Sequence, residues 1–162
     1  MKSRSIRHLF FIILLFAFIG YLREFFFVHL NIIMFEIYYD RPGKEQYPVM
    51  DYFRRMDYET LYYLKYFFTL ISAAIFFAVN FLALKFVPER SIPGKILFYI
   101  YIILFAMAGI AMLYGIIVKG RFQNDEYTLS RWLLGVAQSP LPAMALLAAQ
   151  SLYQATGLKK QN

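Results

Sequence analysis

The chain has 162 residues, 60% hydrophobic, 20% aromatic and only 17% charged, with a formal charge of +7 and no cysteine. A soluble domain carries roughly 45–50% apolar residues, and one this short buries only about two-thirds of its surface, so lipid is expected to cover the excess and no separate soluble enzyme domain is expected. Without cysteine there are no disulfides, thiolate metal sites or cysteine nucleophiles. The basic residues flank apolar runs and form no groove, which points to membrane orientation and away from nucleic acid.

Residues 9–22 form the first apolar run, after Lys2, Arg4 and Arg7. The run is short enough to resemble a signal-peptide core, but no small-x-small cleavage pattern follows, so an uncleaved anchor is expected. Apolar character resumes past Arg23 and Glu24 and continues to Tyr39. The whole stretch is too short for two spans. It reads as one span, about 9–28, that either continues as a helix into the outer headgroup layer or bends along it.

Arg23 and Glu24 fall where this span should leave the hydrocarbon. They are either a buried pair that lines a site or docks a partner, or two charges reaching into headgroups. His29 and Asn31 follow. At helical spacing Glu24 and Asn31 share one face, while His29 and Glu36 share another. A histidine and a carboxylate can act as base and orienter or as half of a metal site, but two turns, about 10 Å, separate this pair. His8 belongs on the other side of the membrane, so neither a metal nor a cofactor is expected.

Asp40-Arg41-Pro42-Gly43 is a turn signal. Beyond Pro48, residues 48–64 read as an amphipathic helix in the outer loop. Asp51 and Arg55 stand four apart on it as surface ion partners, and its tyrosines suit a headgroup belt. Arg54 and Arg55 could clamp a phosphate or carboxylate; the plainer reading is a solvated helix laced with ion pairs to Asp40, Glu45, Asp51, Asp57 and Glu59.

Residues 66–84 and 96–118 are uncharged runs long enough to span, joined by a short turn containing Pro88, Pro93 and Gly94. Residues 132–158 are also uncharged, but Gln138-Ser139-Pro140-Leu141-Pro142 cannot continue a regular helix. The expected shape is a short outer helix, about 125–137, with Asp125 and Glu126 in its first turn. A kink near the outer end follows, and then a span over 141–158. Within these runs Asn80, Gln150 and Gln154 are the amides to weigh, as adhesive between helices or as the lining of a pathway. Small residues four apart (Ala74 with Ala78, Ala111 with Gly115, Ala145 with Ala149) allow close helix approach.

With the N-terminus inside, the inner segments hold eight of the seventeen basic residues in twenty-three positions, and the outer segments nine in fifty-six. Both termini are therefore expected in the cytoplasm. The fold expected is an all-α, integral membrane four-helix bundle, with an interfacial helical segment in the first outer loop and a proline-kinked last span.

The run Arg23-Glu24-Phe25-Phe26-Phe27-Val28-His29-Leu30-Asn31, after a short basic N-terminus and one hydrophobic stretch, resembles small multi-span proteins that accompany exosortase-type membrane transpeptidases in Bacteroidota-like bacteria. The resemblance covers about a quarter of the chain. It implies an accessory protein beside a sorting enzyme, since exosortases use a membrane-embedded cysteine and this chain has none.

No phosphate-cradling glycine loop, metalloprotease helix or Ser/His/Asp set is present. The expected function is a non-enzymatic accessory subunit in the bilayer of the cytoplasmic membrane, bound to a larger membrane protein or to itself. The alternatives are a small oligomeric transporter or channel, and a membrane enzyme acting on a lipid-linked substrate at the outer face through Arg23, Glu24, His29, Arg54 and Arg55.

Overall fold

A computed structural model describes residues 3–41, 48–86, 94–119 and 128–157. Among these the regular structure is entirely helical. The elements are α1 (Ser3–Tyr38), a 3₁₀ turn (Pro48–Met50), α2 (Asp51–Arg54), α3 (Tyr58–Phe86), α4 (Gly94–Lys119), α5 (Thr128–Ala137) and α6 (Leu141–Gly157).

α1 is a single uninterrupted helix of 36 residues, without proline and with one glycine, Gly20. Its length, about 54 Å, is nearly twice a hydrocarbon thickness of about 30 Å. Residues 24–38 continue the helix begun at Ser3 without a break. The helix ends at Asp40, whose φ of 48° is left-handed. There Asp40 N–H donates to the Ile37 carbonyl (3.4 Å) and Arg41 N–H to that of Glu36 (3.0 Å). This is the paired closure of a Schellman terminus, with aspartate in the place glycine usually takes.

The amphipathic helix expected over 48–64 is not continuous. α2 closes after one turn through i→i−3 bonds from Arg55 and Met56, and a new helix begins at Tyr58 and runs on as α3. Asp57 is the cause. Its carboxylate accepts Thr60 N–H (3.0 Å) and the Thr60 hydroxyl (2.6 Å), and its carbonyl accepts Leu61 N–H (3.2 Å). An aspartate bonded in this way starts a helix and does not sit inside one. The two Thr60 bonds also hold the Asp57 carboxyl below its usual range.

α1, α3 and α4 each contain a stretch long and apolar enough to cross a membrane: Phe10–Tyr38, Tyr58–Lys85 and Gly94–Tyr114. α5 and α6 meet at a 70° bend, and together count as a fourth stretch if they form one broken span. α5, about 15 Å long, and α6, about 25 Å, are each shorter than the hydrocarbon.

The chain divides into two compact units, one of residues 17–72 and one of residues 1–16 with 73–162. In the first, Leu30, Ile33 and Met34 of α1 are buried with Met50 and Leu61, flanked by Phe26, Ile37, Phe53 and Met56. Phe26, Leu30, Ile33 and Ile37 recur at helical spacing, so they form one side of α1. In the second, Ile12, Ala83, Leu84, Leu97, Tyr101, Ala137 and Ala143 make a common core, with Phe77, Phe81 and Leu104 packed against it. Gly94 belongs here for a steric reason. A Cβ at that position would overlap the edge of the Phe81 ring, so glycine is what lets α4 begin so close to α3.

Candidate functional site

The densest polar constellation lies at the break between α5 and α6, and it centres on Asn80. This asparagine is wholly buried in α3. Its Nδ2 donates toward the Ser139 carbonyl (2.9 Å), the Tyr101 hydroxyl (3.0 Å) and the Phe76 carbonyl of its own helix (2.9 Å). Two protons serve three acceptors, so one is shared. Its Oδ1 accepts Ala143 N–H (3.3 Å), which fixes the orientation of the amide. Tyr101, in α4, passes the chain on by donating to the Ala137 carbonyl (2.8 Å).

The physical need is set by the prolines. A break in a helix frees carbonyls at one end and N–H groups at the next, and a site without water must satisfy them internally. At the start of α6, Leu141 N–H bonds to Ser139 Oγ (3.2 Å), Pro142 has no proton, Ala143 N–H bonds to Asn80, and Met144 N–H bonds to the Pro140 carbonyl (3.0 Å). At the end of α5, the Leu134 carbonyl receives Gln138 N–H (2.9 Å), Val136 receives the Ser139 hydroxyl (2.7 Å) and Ala137 receives Tyr101. The first turn of α6 thus has every donor placed. Ser139 is the helix-start residue that the sequence marks before Pro140, and its Oγ accepts Leu141 N–H as such a residue does; Tyr101 is the member of the node that the sequence does not single out. A tyrosine six residues past Lys95 gives no sign of its partner until the bend brings Ala137 to it.

The break also sits elsewhere than the sequence reading has it. Asn80 is six residues from the end of α3 at Phe86, about 9 Å. Tyr101 is likewise close to the start of α4. The kink is therefore beside the helix ends that flank residues 87–93, the side expected to be inner, and not near the outer end of the last span. Prolines mark where a helix breaks along the chain, but not at what depth its neighbours hold the break.

The remaining candidates distribute as follows. Gln150 lies in α6 with its Oε1 buried and no partner among the described residues, a property shared by Ser72 Oγ in α3. Gln154 also belongs to α6, and its side chain lies outside the described part, as do Asp125 and Glu126. Arg23 and Glu24 bond to each other (3.4 Å), and the Arg23 guanidinium lies 5.7 Å from the centre of the Phe27 ring. His29 Nδ1 is 2.6 Å from the Phe25 carbonyl, one turn back on its own helix, and the two rings lie 4.3 Å apart, tilted by 37°. Asn31 Oδ1 accepts Lys65 Nζ (2.6 Å).

Arg54 reaches across to Glu36 (3.2 Å). Arg55 falls beyond the last turn of α2 with its side chain exposed. Neighbours in sequence, the two arginines are turned to different surroundings and do not form a joint clamp. Among the described residues of the unit 17–72, Arg23–Glu24, Asn31–Lys65 and Glu36–Arg54 are three of the polar contacts, each made by different residues. No group of three or more His, Asp or Glu suited to a metal occurs among the described residues. Comparison of the chain with family models, with curated proteins and with solved structures finds no match.

Proposed function

We propose that this chain is a non-enzymatic accessory subunit of a cytoplasmic-membrane complex. It crosses the bilayer four times, the bent pair α5 and α6 making the fourth crossing, with both termini in the cytoplasm. One observation carries the reading: the polar groups at the helix break are consumed by the chain's own backbone, through Asn80 and Tyr101. A catalytic or transport site keeps such groups open toward a ligand. Beyond that node the chain offers long apolar faces, as on α4, where Ile102, Ile103, Met107, Ile110 and Leu113 are exposed. The resemblance of residues 23–31 to companions of exosortase-type enzymes supplies the class of partner, a larger multi-span transpeptidase.

The test is crosslinking in native membranes followed by mass spectrometry, with co-purification in mild detergent. A larger membrane protein recovered in stoichiometric amount supports the reading; recovery of this chain alone removes it. A second reading, a small transporter, draws on the broken helix, because discontinuous helices line many transport sites. It requires solute flux in proteoliposomes that is lost on replacing Asn80.

A further inference from the structure

We propose that Arg131 of α5 pairs, at the depth of the hydrocarbon, with a carboxylate on a membrane-spanning helix of the partner protein. The inference rests on the accessory reading, which supplies a partner, and names the contact that holds it.

The depth is set inside the unit of residues 1–16 and 73–162. α5 packs along α4, and its last residue, Ala137, accepts the hydroxyl of Tyr101, seven residues from the start of α4. Were α5 parallel to α4, Thr128 would lie about 14 Å from Ala137 toward Gly94, past the end of the helix it packs against. The two therefore run antiparallel. Burial follows the same register: Ala108 is seven positions from Tyr101, and Ser130 seven from Ala137, and both are buried. The Tyr101 side chain leans toward the start of α4, which puts Ala137 level with residues 98–101. Arg131, six residues back along α5, is then level with residues 104–107. That level is at least about 12 Å from either end of the uncharged run over 96–118.

A charged side chain at such a depth faces protein or water and finds a counter-charge. Arg131 is exposed, and no described residue gives it a hydrogen bond or ion pair. The described residues of this unit include no aspartate or glutamate, so the counter-charge comes from outside them.

Depth and shape select the kind of anion. Side chains of a helix lean toward its N-terminus, so the guanidinium reaches about 6 Å toward the Lys119 end and stops about 10 Å short of the end of the run. Lipid phosphates lie beyond the hydrocarbon and are out of reach. The face is also convex and open, with Leu129 60% and Trp132 72% exposed, and a small anion there would leave both rims bare. A spanning helix can carry a carboxylate at any level and covers Leu129 and Trp132 with its own apolar side chains. The guanidinium fork matches a carboxylate, and tryptophan with arginine is the composition of interface centres.

The experiment uses the full-length chain in native membranes, with a benzoylphenylalanine photo-crosslinker in place of Trp132 or Leu129, and co-purification of Arg131→Leu in mild detergent. The crosslinked peptide is expected to come from a spanning helix of another protein and to contain Asp or Glu within one turn of the attachment point. Arg131→Leu is expected to lower recovery of that protein by about tenfold or more, since it strands a buried carboxylate. Neutralising the partner's acid in the same cells is expected to restore recovery, because a pair with neither charge is tolerated where half a pair is not. The proposal is overturned by attachment only to lipid, to a second copy or to residues 120–127 of this chain, and by a partner helix without an acid. Recovery indifferent to Arg131→Leu, or not restored by the second change, overturns it too. Where another protein still co-purifies in stoichiometric amount, the accessory reading stands without this contact; if none is recovered with the unaltered chain, both fall.

Discussion

Replacing Asn80 by leucine keeps the side-chain size of the site but deletes four hydrogen bonds. The bond to the Phe76 carbonyl is the least consequential, because that carbonyl lies within α3 and has the helix ladder available. The other three leave groups stranded between elements: the Ser139 carbonyl, the Ala143 N–H and one acceptor site of the Tyr101 hydroxyl. Side-chain hydrogen bonds within membrane proteins average about 0.6 kcal/mol and reach about 1.7, while a buried polar group left without a partner costs roughly 1–3 kcal/mol. Asn80→Leu should therefore destabilise the chain by about 2–4 kcal/mol. Unfolding in mixed micelles by titration with a denaturing detergent measures this, with far-ultraviolet circular dichroism to check that helix content survives in the folded baseline. A change below about 0.5 kcal/mol would refute the reasoning, since it would mean that the break satisfies itself without α3.

Tyr101→Phe should cost about 1–2 kcal/mol by the same assay, and a double-mutant cycle with Asn80→Leu should show strong coupling, because both act on one chain of bonds ending at Ala137. Gly94→Val should destabilise by roughly 1–3 kcal/mol, because its side chain would collide with Phe81; Gly109→Ala, which meets open space, should be close to neutral in the same titration. Asp57→Asn should flatten the acid side of the pH–stability curve. The carboxyl of Asp57 is lowered in the folded chain from a usual value of 3.8, so its contribution is present above that pH and is lost as pH falls through the lower folded value. An unchanged slope below about pH 4 in the variant would show that the Thr60 bonds are not responsible.

What could be read in the sequence was what lipid and helix geometry impose locally. The uncharged runs became α1, α3 and α4, because hydrocarbon demands helices with every backbone group satisfied inside them. The turn at Asp40 and the break at Pro140 were visible because backbone chemistry marks them at single residues. Less legible was anything that depends on register between elements. Asp57 looked like one more surface charge in an amphipathic stretch, and only its bonds to Thr60 show that it divides that stretch. Asn80 could be named as adhesive, but its partners come from residues 21, 59 and 63 positions away.

The account rests on hydrocarbon being the solvent of the apolar helices, and alkaline carbonate extraction of native membranes tests that most directly. The full-length chain should remain entirely with the membrane pellet at high pH and be released only by detergent. Its appearance in the carbonate supernatant would contradict the account, since a chain held by surface charge or by a peripheral contact leaves the membrane under those conditions.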